Sequence, residues 1–278
     1  MPRQSTAWLL VELAVFLVFG TGAIANLVFW VRAASPPNQP SEFEVETGFD
    51  LAGVAALTQP RVLGRLLLEV LLQWRLRRVS QSRWLAHLLL FWGNVILVFV
   101  GSLGLMLAEK GLLPITKDTP WFAVVNETAG LMVLLGVAMS ILRYYRVAEP
   151  RAITSGAGLL WLVWLGAVAL SGYTLEAARL ASEQVAATTG AYAFVGYPLA
   201  RALTALLPAW SGVYPMLWWL HAGAAMVLVA SVPYGRLFHM FASPLAIAVN
   251  LSRSAQVSPR DSAPAIGGEE AVLVRRPS

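Results

Sequence analysis

The sequence predicts an all-α integral membrane protein of five transmembrane helices. The N-terminus is expected outside and the C-terminus in the cytoplasm, with an amphipathic interfacial helix between spans one and two. Three observations predict this. Of 278 residues, 58% are hydrophobic and only 13% charged, whereas a soluble domain carries about a quarter charged residues. Five apolar runs each approach or exceed the ~20 residues needed to cross a bilayer. Basic residues gather on one side of those runs: seven in 32–83, three in 143–151 and five from Arg236 onward, against five on the other side. The positive-inside rule then orients the chain. By the same logic the net charge of +5 reads as topology, not as affinity for nucleic acid.

The first span is expected at Ala7–Val31, as a signal anchor rather than a cleaved peptide. It carries Glu12 and Asn26. Pro36, Pro37 and Pro40 open a loop, and Glu42, Glu44, Glu46 and Asp50 make it acidic and solvated. From Gln59 to Ser80, Arg61, Arg65, Glu69, Gln73 and Arg77 recur every four residues. That spacing draws one polar stripe on an otherwise Leu- and Val-rich helix. Such a helix lies along a membrane surface or packs under a partner protein.

The second span is expected at Trp84–Leu107, where Gly93, Gly101 and Gly104 permit close approach of a helix or a flat ligand. Trp121–Leu142 is the third span, with Asn126 and Glu127 near its outer end. The fourth is Gly156–Leu175, and Ala181–Tyr214 reads as helix outside the bilayer. The fifth is Pro215–Phe241, interrupted by Pro233. Residues 1–250 thus form one bundle. The segment 251–278, rich in Ser, Pro, Gly and Ala, reads as a disordered cytoplasmic tail.

The absence of cysteine excludes disulfides, iron–sulfur clusters on this chain and covalent c-type haem. No Walker loop, dinucleotide-binding glycine motif or His-Glu-x-x-His is present. What remains is three histidines: His87, His221 and His239. His221 and His239 stand eighteen residues apart in WWLHAGAAMVLVASVPYGRLFH. On a continuous helix that is roughly 27 Å, close to the ~30 Å hydrocarbon thickness.

The topology sets His87 and His239 at similar depth on the cytoplasmic side, one on each of two helices. Two neutral imidazoles facing across a bundle suit a non-covalent, low-spin haem b. Arg83 and Arg236 each precede a histidine by one helical turn, where they suit haem propionates. The competing reading makes all four ordinary boundary residues. His221 lies deeper, and a histidine there is expensive without a partner. No histidine is left to pair with it, and Met106, Asn94, Glu127 or none are the alternatives. A five-coordinate haem, a water-ligated haem and a quinol-binding histidine all stay open.

Three stretches resemble a known family. They are RWLAHLLLFWGN in the second span, GYTLEAAR at the end of the fourth and WWLHAGAAMVLVASVPYGRLFHMFASPL in the fifth. Over roughly residues 60–250 the chain is similar to the five-helix cytochrome b subunits of membrane quinone oxidoreductases. These include the gamma subunit of respiratory nitrate reductase, the membrane subunit of the methanogen heterodisulfide reductase and that of the sulfite-reduction complex. The resemblance implies that His87 and His239 ligate an inner haem and His221 an outer one. Leu97 stands where the nitrate reductase pattern carries a second histidine on the same helix.

The family also implies oxidation of quinol, such as menaquinol, near the outer haem. A quinol losing two electrons releases two protons, so a base is required. Glu127 is the first candidate for proton acceptor and Glu176 the next. Arg179 is the cation at the same depth, a candidate cofactor contact. Glu176 and Arg179 also read as a surface i, i+3 ion pair.

The expected function is that of a membrane-anchor cytochrome b in a bacterial or archaeal cytoplasmic membrane. It would pass electrons through haem b between quinol and a cytoplasmic iron–sulfur subunit. The reduction site would lie on another chain. The alternative is a haem-free scaffold subunit or small transporter.

Overall fold

The structure is a computed structural model and describes residues 6–33, 58–148, 156–206 and 210–256. The acidic loop after Pro40 and the tail beyond Gln256 fall outside the described residues. All the regular elements among the described residues are helical.

The first helix, α1, is Thr6–Ala33. Two short helices follow, α2 at Pro60–Leu71 and α3 at Trp74–Val79. Next come α4 at Gln81–Ile96, a π-helical stretch at Leu97–Gly104 and α5 at Leu105–Glu109. α6 spans Pro120–Arg146 and α7 spans Gly156–Ser182. α8 is Ala187–Gly190, α9 is Gly196–Leu206 and α10 is Trp210–Ser231. Two 3₁₀ turns, Val232–Tyr234 and Arg236–Phe238, lead into α11 at His239–Gln256.

Five helical stretches are long and apolar enough to cross a membrane: Leu10–Phe29, Gln81–Glu109, Pro120–Arg146, Gly158–Ser182 and Trp210–Tyr234. Pro60 and Pro120 open α2 and α6 at a position where their missing N–H costs nothing. α6 is the most enclosed span and α4 packs closely along it. Gly93 makes this approach feasible. A Cβ there would sit 2.8 Å from Val133 Cγ2 and 2.9 Å from the Ala129 carbonyl oxygen. In lipid, close backbone packing of this kind drives helix association. So Gly93 serves a helix rather than a flat ligand. Gly101 meets Asn126 Oδ1 on α6 instead. Val133, Val137, Leu165 and Leu228 form the apolar core between α6, α7 and α10. α1 stands at the edge, with Leu10, Phe16, Leu17, Ile24 and Phe29 exposed as a lipid-facing helix requires.

The structure departs from the sequence reading in four places. The amphipathic stretch from Gln59 to Ser80 is two helices, broken where Gln73 takes a left-handed backbone (φ 51°, ψ 43°). The fifth span does not run unbroken to Phe241. Pro233 has no N–H to give and its ring clashes with the preceding turn, so regular helix stops at Ser231. His221 and His239 therefore belong to different helices, and the 27 Å estimate for a straight helix does not apply. Helix also continues past Asn250, to Gln256. Beyond α7, the described helices over 181–214 are instead the short α8 and α9 and the first turn of α10. Ala193 and Ala200 there pack on Ala177 and Leu180.

Candidate functional site

Two histidine neighbourhoods lie in the bundle. At the first, the rings of His87 and His239 face each other with centroids 5.7 Å apart and planes at 58°. Metal–imidazole bonds of about 2 Å on either side of one ion would put such centroids roughly 6 Å apart. The centroid spacing is thus that expected of two imidazoles sharing one metal.

Each ring is held by a different part of the chain. His87 lies on α4, and its Nδ1 is 2.9 Å from Gln73 Oε1. A side-chain amide oxygen only accepts, so Nδ1 carries the proton and Nε2 keeps its lone pair for a ligand. Gln73 is fixed in turn. Trp84 Nε1 donates to the Leu72 carbonyl at 2.7 Å, and Trp92 Nε1 donates to the Leu71 carbonyl at 3.0 Å. Both indoles rise from α4, so the end of α2 is pinned beside His87.

His239 is set by the broken end of the fifth span. Asn26 Nδ2 donates to the Pro233 carbonyl at 2.7 Å and to the Gly22 carbonyl at 3.0 Å. The Tyr234 hydroxyl donates to the Val18 carbonyl at 3.0 Å. Gly22 lets this corner approach α1, since a Cβ there would lie 2.6 Å from Tyr234 Cζ and 2.7 Å from Pro233 Cβ. The clamped corner turns the chain so that α11 begins on His239.

Arg83 sits exposed in the first turn of α4, where its backbone N–H donates to the Ser80 side chain. Arg236 begins the second 3₁₀ turn, and its side chain falls outside the described residues.

At the second neighbourhood, His221 on α10 meets α7. Its Nδ1 lies 2.9 Å from Ser171 Oγ, which donates to the Val168 carbonyl at 2.8 Å. With its one proton committed, the hydroxyl accepts from Nδ1–H. His221 therefore also presents Nε2 as the basic nitrogen. Asn94 donates to the Leu90 carbonyl on its own helix at 2.8 Å. Leu97 opens the π-helical stretch, a helix form frequent at functional sites.

The acidic residues gather around the start of α9. Glu127, buried on α6, accepts from the Val195 N–H at 2.8 Å and from the Gly196 N–H at 3.2 Å. These are the unpaired donors of the α9 N-terminus, where a carboxylate is favoured. The Tyr173 hydroxyl donates to the backbone carbonyl of the same Glu127. Glu176 is close by: a Cβ on Gly196 would lie 3.0 Å from Glu127 Oε1 and 3.1 Å from Glu176 Cγ. Arg179 bonds Glu176 at 2.8 Å, Glu183 at 2.7 Å and Asp118 at 2.9 Å. The i, i+3 pair expected from the sequence forms, but Arg179 is buried rather than on the surface.

The structure thus brings together His87 with His239, and Glu127 with Glu176 and Arg179. Gln73, Ser171 and Asn26 escaped sequence reasoning as site residues. Gln73 and Ser171 are bonded to their histidines across 14 and 50 residues, and Asn26 to Pro233 across 207. No local spacing reports such contacts.

The chain is 26% identical over 188 residues to an EtfAB:quinone oxidoreductase of Syntrophomonas wolfei, covering 62% of this chain and 26% of that protein. It is 29% identical over 200 residues to one subunit of the dihydromethanophenazine:CoB–CoM heterodisulfide reductase of Methanosarcina thermophila, covering 68% of this chain and 66% of that one. The same subunit from Methanosarcina barkeri is 27% identical over 197 residues, with the same coverage. The chain therefore spans about a quarter of the first relative and just under two thirds of the other two. No solved structure gives a significant match. The family profile described as nitrate reductase gamma subunit matches residues 76–257, from α3 to just past α11. That match takes in all three histidines and four of the five apolar spans, and the chain belongs to the nitrate reductase gamma subunit family.

Proposed function

We propose that this protein is the cytochrome b membrane subunit of a quinol-linked oxidoreductase complex. It passes electrons between a quinol, such as menaquinol, near the outer face and an iron–sulfur subunit on the cytoplasmic side. The observation that carries this reading is the His87–His239 pair, 5.7 Å between ring centroids, with the His87 Nδ1 proton held by Gln73. Family membership supports a redox role in a membrane complex. The relatives are named for oxidoreduction with a quinone and with dihydromethanophenazine, which supports a reduced ring carrier as the electron source.

In this reading His87 and His239 would hold one haem b, and Arg83 and Arg236, each just ahead of a histidine in sequence, are the cations proposed for its propionates. His221 marks a second redox or quinol position. The bound haem would supply one-electron transfer between quinol and partner. The protein's own part is to hold the imidazoles as neutral donors and to take up protons. Quinol oxidation yields quinone, two electrons and two protons. Glu127 and Glu176 are the proton acceptors proposed for it, with Arg179 orienting Glu176. The arginines of α2, α3 and the end of α6 are the partner's proposed docking face. Without cysteine, this chain cannot supply the clusters. The N-terminus lies outside and the C-terminus in the cytoplasm, in a bacterial or archaeal cytoplasmic membrane.

The test is purification with partner chains retained, followed by a dithionite-reduced minus oxidised spectrum. A haem b signal is expected, lost in His239→Ala and His87→Ala while the protein still accumulates in the membrane. Purified wild-type protein without haem would favour a haem-free scaffold subunit or small transporter.

A further inference from the structure

We infer that Gln73 is a positioning residue for the His87 ligand, and that it couples the α2–α3 surface to the haem. The inference rests on the haem reading above and names a residue outside the histidine set.

Three observations converge on it. The first is the contact itself: Gln73 Oε1 lies 2.9 Å from His87 Nδ1. An acceptor on the far nitrogen fixes ring orientation and raises the basicity of the ligating nitrogen. The second is the backbone. Gln73 has φ 51° and ψ 43°, a left-handed conformation that helix ends usually assign to glycine or asparagine. A glutamine kept there costs the backbone something and offers a longer side chain in return. That side chain reaches a histidine, and strained positions of this sort concentrate at functional sites. The third is the anchoring. The Trp84 and Trp92 indoles take the Leu72 and Leu71 carbonyls, directly before Gln73. The Arg77 guanidinium, just after it, lies 4.8 Å from the Trp74 ring and 5.2 Å from the Trp84 ring. Gln73 is thus clamped on both sides by aromatic contacts, with Trp84 and Trp92 rising from the helix that carries His87.

The consequence is chemical. A neutral acceptor on Nδ1–H makes His87 a better donor and favours the oxidised iron. Removing it weakens donation and raises the midpoint potential. A carboxylate at the same place strengthens donation and lowers the potential. Movement of α2 or α3 on binding a partner would reach the iron by this route.

The test uses the purified complex with three variants: Gln73→Leu, Gln73→Glu and Gln73→Gly. The readout is the haem midpoint potential by equilibrium redox titration, with the low-spin ferric EPR signal alongside. The Leu and Gly variants are expected to shift upward and Glu downward. Glycine relieves the left-handed backbone, so a purely structural turn predicts a wild-type potential in Gln73→Gly. Haem-loaded variants that all share the wild-type potential and EPR signal would overturn the role of Gln73 and leave the haem reading intact. A wild-type complex without haem would overturn both.

Discussion

The Asn26 side-chain amide donates to the carbonyl oxygen of Pro233 at 2.7 Å, so the first span holds the break in the fifth. That carbonyl belongs to the corner where α10 gives way to α11, and His239 follows at the start of α11. A helix that stands at the edge of the bundle therefore sets the position of a candidate ligand it does not itself carry.

Asn26→Leu puts a helix-compatible apolar side chain of similar size in its place and removes the clamp. Membrane insertion is expected to persist, while haem bound per mole of protein falls severalfold. Gly22→Leu should act likewise, because the added side chain meets Tyr234 and Pro233 at once. Pyridine haemochrome against protein concentration measures both. Normal haem loading in both variants would separate α1 from the site.

Glu127 joins two roles that substitutions can separate. Glu127→Ala strips the half-buried Val195 N–H and the buried Gly196 N–H of their acceptor. A buried donor left unmade costs about 1–3 kcal/mol. The segment from 183 to 206 should then loosen and become a site of protease cleavage. Glu127→Gln keeps an acceptor oxygen but no carboxylate, so the segment should stay closed. If Glu127 takes the quinol proton, Glu127→Gln loses most quinol-dependent haem reduction and retains dithionite reduction. Full activity in Glu127→Gln would leave the residue as a helix cap and shift the proton role to Glu176.

Arg179 bonds Asp118, Glu176 and Glu183 at once. Arg179→Gln leaves these three carboxylates close together without its charge. Hydrogen bonds to charged groups contribute about 1.5–3 kcal/mol each, but these carboxylates are partly exposed and solvent recovers much of that. A net loss of about 1–3 kcal/mol follows, seen as a lower thermal midpoint in detergent. Arg179→Lys should recover only part, because an ammonium lacks the planar fork that reaches several carboxylates.

His221→Ala tests the second neighbourhood without touching the first. Haem held by His87 and His239 is expected to remain, with its spectrum unchanged. A drop from two haems to one per protein would assign His221 as an axial ligand. An unchanged count with loss of quinol-dependent reduction would assign it to quinol binding. Ser171→Ala should mimic either effect weakly, since it removes only the acceptor on Nδ1.

The aperiodic parts of the chain are the least legible in its sequence. Gln59 to Ser80 carries a continuous four-residue stripe, and periodicity alone extends one helix through it. The break at Gln73 arises because Trp84, Trp92 and His87 bind the chain there from another helix. The fifth span shows its breaker openly in Pro233. On α1, Asn26 stands out as a polar residue in an apolar span, but nothing in the sequence pairs it, or Tyr234's acceptor Val18, with this corner.

The sequence by itself determined the class of protein. Apolar run length is set by bilayer thickness, and a bilayer tolerates almost no backbone except helix. It also singled out the three histidines, because ionisable groups in such runs are rare and costly. Only the tertiary structure decided which groups meet: His87 with His239 at 5.7 Å, Gln73 on the back of His87, Ser171 on His221 and Glu127 at the head of α9. Hydropathy gives depth along a span, whereas a contact also needs rotation of each helix about its axis. That rotation is fixed by close packing at places such as Gly93 against Val133 and Gly22 against Tyr234.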